Sequence, residues 1–118
     1  MSFRALFIIA EDPRASGRPA EAVRLAAGVS VWKKVEVALY LRGPAVLLLG
    51  ENIEDLGLVD AENDARCFAL LREERVPIYA QQGAPGLARL GQAAVPFEEI
   101  SDARLAEIAA ARNSVLHF

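Results

Sequence analysis

Residues 3–10 read Phe3-Arg4-Ala5-Leu6-Phe7-Ile8-Ile9-Ala10, a segment that is apolar on both faces of an extended chain. A strand with one solvated face would alternate apolar and polar side chains, whereas a central parallel strand is covered by helices on both sides. The segment therefore predicts such a strand. The next residues, Glu11 to Arg18, are rich in turn formers, and Pro19 suits the first position of a helix because its missing N–H costs nothing there.

The rest of the chain continues this alternation of helices and strands. Predicted helices cover Pro19 to Lys33, the stretch from Asp60 or Asn63 to about Glu74, and a stretch after Ser101; predicted strands cover Val35 to Leu41, Val76 to Ala80, Ala94 to Glu98 and Ser114 to Phe118. Such an alternation predicts an α/β fold: one domain over residues 1–118, with three α/β/α layers and a mostly parallel sheet of about five strands.

Two segments between these elements are less regular. Ala45 to Leu49 is an apolar run that fits either a buried strand or a helical turn, and Pro44 favours the turn. Glu51 to Val59 is rich in acidic residues and predicts a loop, while Leu87 to Leu90 can form one helical turn.

Composition narrows the classes of partner. Hydrophobic residues make up 53% of the 118 residues, which suits a folded domain, and the formal net charge of −3 lacks the positive field that nucleic-acid binding requires. A single cysteine cannot form an internal disulfide or a cysteine-based zinc site, so the expected location is the cytoplasm. The longest apolar runs fall far short of the roughly 20 residues that span a bilayer, so no membrane span is expected.

The predicted first helix is unusually apolar around its circumference. Glu21, Arg24 and Gly28 share one narrow stripe, and most of the other positions are apolar. A helix that only covered a sheet would be polar over its outer half. We therefore expect this helix to pack on the sheet and also against another subunit.

The candidate binding residues follow the predicted first and third strands. Ligands of open α/β sheets bind beyond the carboxyl ends of the strands. This rule predicts a cleft formed by Glu11 and Asp12 together with Gln81, Gln82 and Gly83. The acidic pair is of the kind that holds magnesium in response-regulator receivers, but glutamines stand where a third acid is needed, so no metal and no cofactor are expected.

Two other groups of residues offer weaker alternatives. Arg14 and Arg18 precede the first helix and could hold a phosphate or nucleotide, although no phosphate-loop motif is present. Cys67 shares a helical stripe with Phe68 and Leu71, which is typical of a small core side chain, with a reactive thiol as the alternative. His117 has no nucleophile beside it in the sequence. Because no nucleophile, base and orienting group assemble, a stand-alone enzyme is not supported.

The order of these motifs resembles the DsrE-like family, which includes the sulfur-relay subunits of the DsrEFH and Tus complexes. The resemblance spans nearly the whole chain and is carried by the first strand running into Glu-Asp-Pro, the Ala-rich helix, Val-Glu-Val-Ala-Leu-Tyr-Leu, Val-Pro-Ile-Tyr-Ala and Leu-Ala-Arg-Leu-Gly. It implies a three-layer α/β/α domain that assembles into trimers or hexamers, either with itself or with related subunits.

The resemblance also locates a departure from the family pattern. Active members carry, just after the third strand, a cysteine that takes up sulfur as a persulfide, and here Gln81 occupies that position, or Gln82 if the register slips by one. An amide has no nucleophilic sulfur. The chain is therefore expected to be a non-catalytic accessory or binding subunit; a persulfide carrier that uses Cys67 is the alternative.

Overall fold

A computed structural model describes residues 3–50, 57–59 and 61–118 of the chain. These residues form one sheet of five parallel strands in the spatial order β4-β3-β2-β1-β5. The strands are β1 (Phe3–Ile9), β2 (Val35–Leu41), β3 (Ile78–Gln81), β4 (Glu98–Ile100) and β5 (Ser114–His117). The helices are α1 (Arg18–Trp32), α2 (Ala61–Glu73) and α3 (Asp102–Ala110), with 3-10 helices at Gly43–Leu49 and Pro85–Arg89.

The apolar character of β1 is explained by the two layers that cover it. Phe7 and Ile9 point to the face that also holds the buried side chains of α1 and α2. Leu6 and Ile8 point to the opposite face, which α3 covers through Leu105 and its neighbours. Helices therefore lie on both faces of a parallel sheet, and the predicted three-layer α/β/α fold is confirmed.

Helix α1 begins at Arg18, one residue before the predicted start, and ends at Trp32. Its inner side chains, among them Val23 and Ala26, are fully buried. Its outer side keeps large apolar groups in solvent: Leu25 is 48% exposed, Val31 46% and Trp32 63%. The apolar circumference noted in the sequence is thus covered only on the inner side by the described residues.

Two predicted strands are displaced. The third was expected at Val76 to Ala80, but β3 starts at Ile78, because Pro77 has no N–H to donate to a neighbouring strand. The fourth was expected at Ala94 to Glu98, but β4 covers Glu98–Ile100. Val95 is buried without strand pairing and Pro96 again lacks an N–H, so the pairing starts with the polar residues that follow.

The ambiguous apolar run forms the 3-10 helix at Gly43–Leu49, as Pro44 suggested. Residues 51–56 and Asp60, which belong to the predicted acidic loop and helix start, lie outside the described residues. Asn63, the alternative cap, lies inside α2. Ser101 caps α3 as predicted, because its hydroxyl accepts a hydrogen bond from the Arg104 backbone N–H at 3.2 Å.

Candidate functional site

The carboxyl ends of β1, β2 and β3 lie side by side, since these strands are neighbours in the sheet. Glu11 and Asp12 follow β1 after one residue, and Gln81 ends β3. Because β2 lies between them, the ends of β1 and β3 are about 10 Å apart, twice the spacing of adjacent strands. The predicted residues thus occupy one edge of the sheet in two separate groups.

In the first group, the negative charges of Glu11 and Asp12 are neutralised by nearby arginines. Asp12 binds Arg14 through both carboxylate oxygens, at 3.0 Å from Nε and 2.9 Å from a terminal guanidinium nitrogen, and it also accepts the Arg14 backbone N–H at 2.9 Å. These hydrogen bonds from Arg14 lower the pKa of the Asp12 carboxyl from its usual value. The carboxylate is therefore held in its charged form, as an element of the turn.

Glu11 is engaged in the same way. Its carboxylate lies 3.0 Å from Nε of Arg18, the first residue of α1. A terminal nitrogen of Arg18 also donates a hydrogen bond to the backbone carbonyl of His117 at 3.2 Å. Arg18 thus ties the β1 loop to the end of β5, and both arginines considered for a phosphate site already have carboxylate partners.

The second group is built around the side chain of Gln81. Its Oε1 accepts a hydrogen bond from the backbone N–H of Gly43 at 2.8 Å, which joins the end of β3 to the turn after β2. The Gln82 backbone N–H donates to the carbonyl of Ile100 at 3.1 Å, and this bond adds β4 to the same assembly. Gly83 has a φ of +77°, a left-handed conformation that glycine adopts without strain.

Arg42 lies between the two groups and was missed in the sequence. It follows β2 directly, so the rule that selected the ends of β1 and β3 could also have selected it. Its guanidinium carbon is 5.6 Å from the centre of the Tyr40 ring, a cation–π geometry, and the residue is exposed. No carboxylate of the described residues pairs with it.

Cys67 lies in the middle of α2, away from the strand ends, and is partly buried against the main core. Its Sγ is 3.8 Å from the side-chain oxygen of Asn63. Burial, followed by the negative charge of Asp64, raises the pKa of the Cys67 thiol. The thiolate, which is the nucleophilic form, is therefore disfavoured at neutral pH.

Among the residues that the structure describes, the carboxyl edge offers hydrogen-bonding groups and the Arg42 cation, which has no carboxylate partner there, rather than a nucleophile. Within residues 3–50, 57–59 and 61–118, no three His, Cys, Asp or Glu side chains come together in a way that could hold a metal ion. His117 is exposed on β5, and no described side chain hydrogen bonds to its imidazole. Such an edge can bind a polar group of a partner, but it presents no sulfur for covalent chemistry.

The whole chain is similar in structure to the ychN protein from E. coli, which has a DsrE-like fold. The two superpose with a TM-score of 0.79 over 100% of each chain, at 18% sequence identity. No family model and no curated protein sequence matches the chain. In the part of the chain that the structure describes, no helix combines the length and the apolar character needed to cross a bilayer.

Proposed function

We propose that the chain is an oligomeric DsrE-like protein of the sulfur-relay type that acts as an accessory or binding subunit and carries no sulfur itself. One observation carries the proposal: Gln81 ends β3 and Gln82 follows it, and the resemblance puts the sulfur-accepting cysteine of active family members at one of these two positions. The side-chain oxygen of Gln81 is bonded to the Gly43 N–H. The residue thus has a structural role that a thiol could not fill equally well.

The outer face of α1 supports the oligomeric part of the proposal. Leu25 and Trp32, seven residues apart, share one exposed stripe of α1, and large apolar side chains that remain exposed in this way are typical of interaction sites. A second copy of the chain, or a related subunit, would remove them from water. We place the protein in the cytoplasm, where a lone thiol such as Cys67 stays reduced.

Sulfur transfer is tested with three proteins: wild type, Cys67→Ser, and a double variant that adds Gln81→Cys to Cys67→Ser. Each is exposed to a cysteine desulfurase with cysteine and analysed by intact mass. In a loading reaction, a thiolate attacks the sulfane sulfur of the donor, so that a new S–S bond forms at the acceptor and the donor thiolate leaves. We expect no sulfur gain in wild type or Cys67→Ser, and a gain of one sulfur atom in the double variant.

Cys67 gives the second candidate, because the residue is only partly buried. If it carries sulfur, wild type gains one atom and Cys67→Ser gains none. That result would contradict the accessory role. If the double variant stays unmodified while its circular dichroism matches wild type, the carboxyl edge is not the equivalent of the family's site.

Oligomerisation is tested by size exclusion with light scattering. We expect assemblies larger than a monomer in wild type and a shift toward monomer in Trp32→Glu, because a charge would be buried in the interface. Arg89→Gln, at an exposed position away from α1, is the control that changes the net charge by the same amount. A wild-type protein that is monomeric at tens of micromolar would overturn this part of the proposal.

A further inference from the structure

A cavity of about 490 Å³ opens at the amino edge of the sheet, opposite the carboxyl edge discussed above. It lies at the start of β2, between the turn that follows α1 and the segment that joins α2 to β3. Its charged lining residues are the basic Arg4, Lys33, Arg75 and Arg112 and the acidic Glu36 and Glu74. The volume is in the range of cavities that bind small molecules.

The cavity exists because β2 extends past the start of β3. Pairing between the two strands begins with Leu39 and Ile78, since Pro77 cannot donate to β2. The Leu39 N–H donates to the Pro77 carbonyl at 3.0 Å, so the peptide groups of Leu39 face β3. Val37, two residues earlier, directs its peptide groups to the same side and lines the cavity.

The charged side chains of the cavity are unequally paired. Arg4 lies 3.6 Å from Glu36, and Lys33 lies 3.4 Å from Glu74. Arg75 and Arg112 pair with no carboxylate among residues 3–50, 57–59 and 61–118. The Arg112 Nε atom is buried and has no hydrogen-bond partner in this part of the chain. The wall therefore carries an excess of positive charge, although the whole chain has a net charge of −3.

Two of the basic residues have an unusual backbone conformation. Lys33 has a φ of 62° and Arg75 a φ of 56°, in the left-handed region that favours glycine or asparagine. They follow the ends of α1 and α2 and meet at this cavity. These conformations end the two helices: Lys33 is the C-cap of α1, and beyond α2 the Val76 N–H donates to the Leu71 carbonyl and the Arg75 N–H to the Arg72 carbonyl. Their placement brings positive charge to the cavity wall.

We propose that this cavity binds a small molecule through an anionic oxygen group, a phosphate or a carboxylate, held by Arg75 and Arg112. Guanidinium groups bind both kinds of group in a planar, two-point geometry. An anion there would neutralise the excess positive charge of the wall, which Arg75 and Arg112 leave without a carboxylate partner among the described residues. The proposal is independent of the sulfur-relay assignment, because it uses no residue of the carboxyl edge.

The test is isothermal titration of the full chain with inorganic phosphate and, separately, with citrate. We expect measurable binding of at least one probe: preference for phosphate would indicate a phosphorylated ligand, and preference for citrate a carboxylate. Arg75→Gln and Arg112→Gln should each weaken binding by about tenfold or more. Arg89→Gln removes the same charge from an exposed position of the 3-10 helix at Pro85–Arg89, outside the cavity lining, and should leave binding unchanged.

Arg75 is exposed, so its variant is expected to fold even if Arg112→Gln does not. The proposal would be overturned if neither probe bound to wild type, or if wild type and Arg75→Gln bound the probes equally well. Loss of binding in Arg89→Gln to the same extent as in Arg75→Gln would also overturn it, since this would indicate attraction by overall charge.

Discussion

We expect that replacing Tyr40 with phenylalanine stabilises the protein, although the change removes a polar group. Tyr40 lies on β2, beneath α3, and its side chain is fully buried in a cluster with Ile8 and Leu105. Its hydroxyl has no hydrogen-bond partner among the described residues. In the unfolded chain the same hydroxyl is hydrated, so folding removes hydrogen bonds with water without replacing them.

The magnitude follows from the cost of such an unpaired group. A buried polar atom without a partner costs about 1–3 kcal/mol, whereas a hydrogen-bonded hydroxyl contributes about 0.5–1.5 kcal/mol of stability. Tyr40→Phe keeps the ring, and with it the packing and the contact with Arg42, and leaves a gap of only one oxygen atom. We expect a gain of about 1 kcal/mol, which is about 4 °C or more in Tm for a domain of this size.

The assay is urea unfolding at one fixed protein concentration, supported by thermal unfolding. Tyr79→Phe is the matched control, because Tyr79 neighbours Tyr40 in the sheet but is only half-buried. Its free energy of unfolding should change by less than about 0.5 kcal/mol. If Tyr40→Phe lowers stability by more than that amount, the hydroxyl has a partner in the folded state and our reasoning about its burial is wrong.

Three further predictions concern packing, capping and thiol chemistry. Gly86→Ala should lower the free energy of unfolding in urea by about 1–3 kcal/mol, because the new Cβ would lie 2.8 Å from the Cγ2 atom of Val46. Gly28→Ala lies in α1, where no atom is near the new Cβ, and should instead raise the free energy of unfolding by about 0.5–1 kcal/mol. Equal effects of the two substitutions would contradict this account of the crowding at Gly86. Ser101→Ala should cost about 1 kcal/mol by removing the cap of α3, with Ser101→Asp restoring stability in the same assay. Iodoacetamide should alkylate Cys67 more slowly in the native than in the unfolded protein at pH 8, because the raised pKa leaves less thiolate in the native protein. The difference between the two rates should shrink as the pH rises past that pKa. Equal rates at pH 8 would show that folding does not raise the pKa of this thiol.

Much of the fold could be predicted because its central elements are decided by local pattern. The apolar segment at residues 3–10 and the boundaries of β2 agree closely with the structure, since burial of both faces leaves a clear signal in the sequence. The edge strand β4 could not be located in the same way. It is short, pairs on one side and exposes Glu98 and Glu99, so the apolar residues just before it gave a misleading signal.

The candidate site was harder to predict than the fold. The edge that holds Glu11, Asp12 and Gln81 follows from strand order, but the partners of these side chains do not. Arg14 and Arg18 bind the two acids, and Gly43 engages the glutamine, through contacts that depend on exact loop geometry. The cavity at the amino edge joins residues from four distant segments, including Arg4 and Arg112, which no local pattern connects.

The position of β5 beside β1 has a consequence for the order of folding. Arg4 and Asn113, which are bonded at the start of this strand pair, are 109 residues apart in the chain. Closing so long a loop is entropically costly, and pairings between distant strands are slow to form. Until β5 docks, the apolar edge of β1 has no partner on that side and is open to pairing with other chains. Mutations that weaken β5 should therefore lower the yield of refolded protein through aggregation, even where they change the free energy of unfolding only slightly.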